Sequence, residues 1–408
     1  MSDDNGADGG STGFGNSFTQ VTEQSWLGQL AGSFFAVIFG IVLFFASFVL
    51  LYWNEGRAVV AIDSLNAGAH MVVSVPEGTV NPANQGHLVH VSGTVAVGRA
   101  AADPMFHITL AGAVRLQRSV SMYQWKETEH TETQKNVGGS QTTRTTYSYA
   151  KVWSASAIDS SDFKHPDGHA NPVMTLHSGV FNADGVKIGA FRLESSLLQK
   201  LSGFETLAPP DTATGAGTNP SFRREGEQFY HGASPQSPAI GDMQVSFEVI
   251  KSQPVSVIAA QLGDTLAPFR GNDGRVIELV DLGTRDAGSM FQEAKSQAST
   301  LTWILRGVGF VMMVIGITLM AAPLAWLASV LPFLEGVVDA AAFFVGLVLA
   351  IPLTLATIAI AWVAHRPLLG VGLLIVGVAA AFGLHRLVRR RRPPAGPMTG
   401  VAPPGWHA

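Results

Sequence analysis

The residues of this chain that are able to do chemistry are few and poorly placed for it. His165 and His169 have the i, i+4 spacing of a helical zinc pair, but Pro166 and Gly168 lie between them. The segment therefore reads as a loop in which the two imidazoles share no helix face, and no HExxH-type carboxylate accompanies them. His87 and His90 stand three apart on an extended stretch, so they point to opposite faces, which predicts surface residues. Gly93 and Gly98 precede no helix and belong to neither GxxxxGK[ST] nor GxGxxG, so they form no phosphate loop. There is no GxSxG elbow. The absence of cysteine excludes disulfides, thiolate metal sites and a cysteine nucleophile. A net charge of -4 is too small to argue for a nucleic-acid partner. The expectation is a protein with no catalytic residue, no cofactor and no metal.

Ionisable residues that border apolar runs carry more information. Glu55 and Arg57 follow one such run, Arg306 opens a second, and Arg366 separates a third from a fourth. A charge at the edge of lipid either snorkels to the headgroups or takes a partner. The sharper expectation is that Glu55 pairs with Arg366 or Arg306 and ties the first helix to the C-terminal ones. Trp53, Asn54, Glu55, Arg57, Arg306 and Arg366 are the candidate membrane-interface and assembly residues.

These residues must be positioned by membrane helices. Leu27–Trp53 is an uncharged run of about 27 residues, longer than the ~20 needed to cross a bilayer. It ends in Tyr52-Trp53, an aromatic belt. This predicts a crossing over 26–54, with Gly28 and Gly32 as a small-residue face. Residues 1–25 are rich in Gly, Ser, Asp and Asn and predict a disordered tail. Further crossings are expected at 301–328, at 337–364 with Pro352 inside, and at 367–385, with Ser289–Trp303 as a helix leading into the first of these. Arg386 and Arg389–Arg392 then place the 386–408 tail in the cytoplasm by the positive-inside rule. Four crossings put the N-terminus there too and leave 55–300 outside.

That middle region reads with period two. His87–Val97 sets Val89, Val91, Val95 and Val97 against His90, Ser92 and Thr94. Val114–Met122 and Gly241–Val249 alternate in the same way, the mark of half-buried antiparallel strands. A polar arm from Tyr123 to Trp153, with Asn136-Val137-Gly138-Gly139 at its middle, predicts a long hairpin. Its aromatic residues Tyr123, Trp125, Tyr147, Tyr149 and Trp153 read as cross-strand pairs. Ala208–Pro220 is a Pro/Gly/Thr stretch that predicts two lobes, about 58–207 and 221–287. Gly86–Val95 and Gly241–Ile250, each led by Gly and carrying Val-Ser, suggest an internally duplicated β unit. The fold class is thus an α-helical membrane part, with one N-terminal and three C-terminal helices, plus a large mainly-β (α+β) extracytoplasmic domain.

The chain also resembles a known family. Trp53-Asn54-Glu55-Gly56-Arg57-Ala58 is similar to the WNEGRA motif of the transmembrane protein 43 family, also called LUMA. Met122-Tyr123-Gln124-Trp125 with Glu127 resembles its YQW-x-E segment. Tyr147-Ser148-Tyr149, Trp153, Gly168-His169-x-Asn171-Pro172, Phe229-Tyr230-His231, Gly241-Asp242 with Val245-Ser246-Phe247, Val257-Ile258-Ala259, Gly263-Asp264, Trp362 and Arg366-Pro367-Leu368 follow in the same order. Tyr123, Trp125, Trp153, His169, Asn171, Pro172, Gly241 and Asp242 are the structural residues of that pattern. The resemblance implies four passes, a large domain between the first and second, and homo-oligomerisation. In animals the family is a scaffold of the endoplasmic reticulum and inner nuclear membrane that associates with lamins and emerin. The Ala/Gly-rich tail and lack of cysteine suggest a bacterial member in the inner (plasma) membrane, with a periplasmic domain. The function expected is an integral membrane scaffold that self-associates, organises membrane or lipid and partner proteins, and catalyses no reaction; its partners would be its own copies, membrane lipid and other membrane proteins, without nucleic acid. The alternative is a membrane-anchored sensor or binding protein whose β domain holds a lipid or glycan.

Overall fold

The computed structural model describes residues 17–24, 26–136, 140–210, 213, 221–271, 274–328 and 332–365. Five α-helices occur there: α1 (Trp26–Met71), α2 (Ser195–Lys200), α3 (Ala287–Met320), α4 (Ala322–Ala328) and α5 (Pro332–His365, with Pro352 inside). By length and composition, three of them have segments able to cross a membrane: Phe34–Met71, Ala287–Met320 and Gly336–His365. The crossing expected at 367–385, Arg366 and the arginine run of the tail lie outside the described residues.

The first helix does not stop where its apolar run stops. At 46 residues α1 is ~69 Å long at 1.5 Å per residue, more than twice the ~30 Å of hydrocarbon. Ala58–Met71, expected to begin the β domain, continues the helix. Ala61, Ser64 and Gly68 are buried and Leu65 is half-buried, a three-to-four spacing that keeps one stripe inward. Likewise α3 runs unbroken from its cap, where the Asp286 carboxylate accepts from the Ser289 amide at 3.0 Å, into the apolar layer. The two helices pack antiparallel along their length. They approach most closely at Gly40 and Gly316, where a Cβ on either would meet backbone of the other helix at 2.8 Å. That contact lies C-terminal to the expected face at Gly28 and Gly32.

Two large sheets, with two short two-stranded ribbons beside them, make the described β region. Leu88–Ala96 and Pro254–Leu262 pair in a seven-stranded sheet, while Ala113–Lys135 and Met243–Lys251 pair in an eight-stranded one with Val245 opposite Val120. The two Gly-led strands expected to mark a duplication thus lie in different sheets, and each is followed by a long strand of the other sheet. The inward faces share one core, from Val89 and Val91 through Leu116 and Met122 to Val245 and Phe247. At its centre Phe106 sits 5.4 Å from Phe222, 5.0 Å from Phe229 and 5.5 Å from Phe247. Residues from both sides of the 208–220 stretch fill this core, so the expected two lobes form one body.

A second core covers the back of the seven-stranded sheet. Leu88 and Ile258 pack there on Ile277, Met290 and Phe291, with Leu65, Ala69 and Val72 alongside. This explains why Leu88–Val91 is buried at four successive positions and Val255–Gln261 at seven. A strand covered on both faces loses its alternation. It also corrects the reading of His90 as a surface residue. His90 is buried, donates from Nε2 to the Arg285 carbonyl at 2.9 Å and lies 3.2 Å from the Ser74 hydroxyl. His87 is exposed.

Ser17–Gln24, inside the tail expected to be disordered, is a strand. It pairs antiparallel with the hairpin arm Gln141–Ser154, from Ser17 opposite Ser148 to Gln24 opposite Gln141. The alternation of Phe18, Gln20 and Thr22 with Thr19, Val21 and Glu23 suits an edge, and the open hydrogen-bonding groups of the arm supply the template. The two arms of the hairpin pair from Met122–Ser154 to Lys135–Gln141.

The β core contains one buried ion pair that alternation alone does not reveal. Arg118 stands on the same face as Leu116 and Val120, and its Nη1 meets the Asp103 carboxylate at 2.7 Å. Nε and Nη2 donate to the His177 carbonyl at 3.3 and 3.1 Å, and the guanidinium lies 5.7 Å from the Phe106 ring centroid. Arg118→Leu would leave the Asp103 charge buried without its partner, so we expect a loss of ~3–5 kcal/mol. The double variant Arg118→Leu/Asp103→Leu should recover much of it. Thermal unfolding in detergent, followed by circular dichroism, checks both.

Candidate functional site: a polar joint between three helices

Where α1 leaves its apolar run, four successive residues reach other parts of the helical bundle. Asn54 is fully buried; its amide donates to the Thr302 carbonyl of α3 at 3.1 Å, and its Oδ1 accepts from Arg57 Nη2 at 3.1 Å. Glu55 is also buried. Oε1 accepts from Arg306 Nε at 2.7 Å and Oε2 from Arg306 Nη2 at 2.8 Å, a bidentate pair, and the indole of Trp362 on α5 donates to Oε2 at 2.7 Å. Gly56 carries no side chain because His365 occupies that space; a Cβ there would lie 2.1 Å from the imidazole Nε2. Arg57 reaches Thr302 Oγ1 at 3.1 Å, and its carbonyl accepts from Arg275 of the β domain at 3.1 Å.

The chemistry of this arrangement is cohesive. A carboxylate away from water is costly unless its lone pairs are met. Here three donors from two other helices meet them, so Glu55 can stay in place only while α1, α3 and α5 are assembled. Arg306 also stacks over Trp303 at 4.6 Å from the ring centroid. Of the two partners expected for Glu55, Arg306 is the one present, and Arg366 lies outside the described residues. Trp53 is largely exposed on the outer face of α1. Nothing in the spacing marked Thr302 or His365 as members of the joint. The only available signal was that both stand one helical turn or less from a residue that was marked.

A second cluster fixes the base of the hairpin, and the remaining family-pattern residues gather there. Tyr123 faces Trp153 across the arms, with ring centroids 5.2 Å apart. Asn171 acts as a substitute strand: its Oδ1 accepts from the Trp125 amide at 2.7 Å and its Nδ2 donates to the Trp125 carbonyl at 2.9 Å. His169 stacks on Tyr149 at 4.0 Å, lies edge-on to Trp125 at 4.8 Å and is 3.1 Å from the His165 carbonyl. Pro172 packs against Gly241, whose φ of +95° favours glycine. Asp242 accepts from the Tyr230 hydroxyl at 2.5 Å and from the Ala239 amide at 2.9 Å. These contacts hold strands and turns in register. Among the described residues, no group of three His, Cys, Asp or Glu could hold a metal ion.

Burial, and then the hydrogen bond to Glu127, push the Tyr149 phenol up to about 12; burial and Asp242 push Tyr230 higher still.

Long apolar helices, a two-sheet β domain and a buried polar joint at their boundary define a multi-span membrane protein with one large aqueous domain. The family model described as "Transmembrane protein 43" matches residues 122–367. The chain is 34% identical to transmembrane protein 43 of Homo sapiens over 382 residues, covering 90% of this chain and 92% of that protein. It is 32% identical to the Mus musculus protein over 363 residues, covering 86% and 89%, and 32% identical to the homolog of Drosophila melanogaster over 353 residues, covering 84% and 92%. The chain belongs to the transmembrane protein 43 family. No solved structure matches it.

Arg306→Leu, which strands the Glu55 carboxylate, should cost ~3–5 kcal/mol, and Arg306→Leu/Glu55→Leu should be more stable than Arg306→Leu alone. Melting of the full chain in detergent tests this; equal loss in both would show that the charge pairing is immaterial. A second expectation concerns alkali. A phenol whose folded pKa exceeds its unfolded value contributes stability below the unfolded value, near 10, and loses it as pH rises through the folded one. Stability should therefore fall between about pH 10 and 12, and Tyr149→Phe should flatten that slope in denaturant titrations.

Proposed function

We propose that this chain is a membrane scaffold that catalyses no reaction and joins copies of itself through β domains held rigidly on a helical stalk. The observation that carries the reading is the continuity of α1 and α3, which pass without a break from the apolar layer into the core behind the seven-stranded sheet. With the polar joint at mid-height, the domain has a fixed orientation relative to the bilayer. A rigid, upright domain suits a protein that works by positioning its neighbours. Lipid around the helices and other membrane proteins are the further partners in this reading.

The hairpin supplies the means of self-association. Phe34, Phe35, Phe39, Phe45 and Val49 of α1 are each more than half exposed in the free chain. Burying each in lipid is worth up to ~1.5–3 kcal/mol. The pairing of Ser17–Gln24 with the hairpin is mostly polar and exposed, with Phe18 alone stacking on Tyr147 and His165, and its bonds contribute only ~0.5–1.5 kcal/mol each. Insertion of α1 therefore prevails. A crossing places Ser17–Gln24 and the hairpin on opposite sides of the membrane and frees the edge at Gln141–Ser148. That edge accepts a polar antiparallel strand in the isolated chain, and in the membrane the strand available to it is the same edge of a neighbouring copy. The arginines of the 386–408 tail orient the assembly, with both termini cytoplasmic and the β domain outside.

The chain has no cysteine, so introduced ones report cleanly. In native membranes, Thr145→Cys should give disulfide-linked dimers on mild oxidation. The pair Val21→Cys/Arg144→Cys, which are register partners, should give no internal link. An internal link with the chain remaining monomeric would sink both the crossing of α1 and the hairpin interface. A detergent-extracted particle that is monomeric and carries a stoichiometric lipid or glycan in its β domain would favour the sensor reading instead.

A further inference from the structure

A groove of about 770 Å³ runs between α1 and α5 and borders the polar joint at Gly56, Arg57 and His365. Its volume lies within the ~300–1,000 Å³ typical of ligand sites. The lower wall is apolar, formed by Phe48, Val49, Leu353, Ala356 and Ile360, and the upper end carries Arg57 and His365 beside Tyr52 and Trp53. The division falls where the uncharged run of α1 ends, at the level of the lipid headgroups.

The Arg57 guanidinium at that end is not hydrogen-bonded by the nearest carboxylate. Both oxygens of Glu55 are already taken by Arg306 and Trp362. The bonds of the Arg57 guanidinium go to the neutral Asn54 and Thr302, and its buried Nε has no hydrogen-bond partner among the described residues. An apolar slot closed by a guanidinium that, among the described residues, hydrogen-bonds no carboxylate is complementary to an amphiphile with an anionic head. Basic pockets between membrane helices recognise lipid phosphates in this way.

We propose that this groove binds one anionic phospholipid, with its phosphate against Arg57 and His365 and an acyl chain laid between α1 and α5. Gly56 is part of the design, because only glycine lets the His365 ring lie against α1 at the headgroup end. Tyr52 packs edge-on against that imidazole, with centroids 5.1 Å apart, and holds it there. The site belongs to a single chain, so it does not depend on the hairpin interface and survives if that interface is wrong.

Native mass spectrometry of the full chain, released from mixed micelles holding phosphatidylglycerol and phosphatidylcholine of matched chains, tests the proposal. The wild type should retain one phosphatidylglycerol in preference to phosphatidylcholine, and millimolar inorganic phosphate should not displace it, because the tail is required. Arg57→Gln should weaken phosphatidylglycerol about fivefold, the effect of one basic residue near a lipid surface, and leave phosphatidylcholine unchanged. Ala356→Trp fills the slot without touching the joint and should abolish retention of both at an unchanged melting temperature; Val49→Trp serves if that variant does not fold. Equal retention of the two lipids, displacement by phosphate alone, or retention undiminished in the filled variants would overturn the proposal. A wild type that holds no lipid would do so as well.

Discussion

The structure depends on keeping one carboxylate satisfied at the edge of lipid. Glu55 lies on α1, its guanidinium partner on α3 and its indole donor on α5, so no helix can leave without breaking a bond to that carboxylate. Apolar packing between membrane helices gains little specificity, since lipid tails are as apolar as leucine. A bidentate ion pair with a third donor has one geometry and therefore fixes the rotation and depth of all three helices together. The close approaches at Gly40 and Gly316, and of Leu51 to Gly309, then set their spacing.

The same joint explains why the β domain is not a tethered globule. α1 and α3 are already registered at Glu55 and Arg306 when they enter the second core, and Lys295 bonds Asn66 between them at 3.2 Å. Their upper halves form a third layer behind the seven-stranded sheet. Membrane part and aqueous part thus share elements, and a displacement in one is carried to the other along two packed helices. The orientation of the β domain on the helices follows from that sharing.

The residues shared with the family divide between the two ends of this body. The WNEGRA segment makes the joint, where each of Asn54, Glu55, Gly56 and Arg57 has a distinct contact. The aromatic and turn residues make the hairpin base, where Asn171 replaces a strand neighbour and Asp242 caps a turn. Both clusters are load paths: one joins helices to each other, the other joins a projecting arm to its sheet.

Apolar runs at Leu27–Trp53 and Gly307–Ala328 announced membrane helices, because lipid demands length and lack of charge and little else. Strands such as Val114–Met122 and Gly241–Val249 were legible because one covered face imposes period two. Glu55 and Arg306 could be singled out since charge beside lipid needs a partner. What sequence could not supply was the partner's choice, or the end of α1. Ala58–Met71 is short, small-residued and without a cap, so its helical stripe appears only once α3 and the sheet lie against it. His90, the Arg118–Asp103 pair and the unbroken burial of Val255–Gln261 were hidden for the same reason. Local pattern records which residues avoid water, whereas tertiary packing decides what they meet instead, and for polar residues that second fact determines the energy.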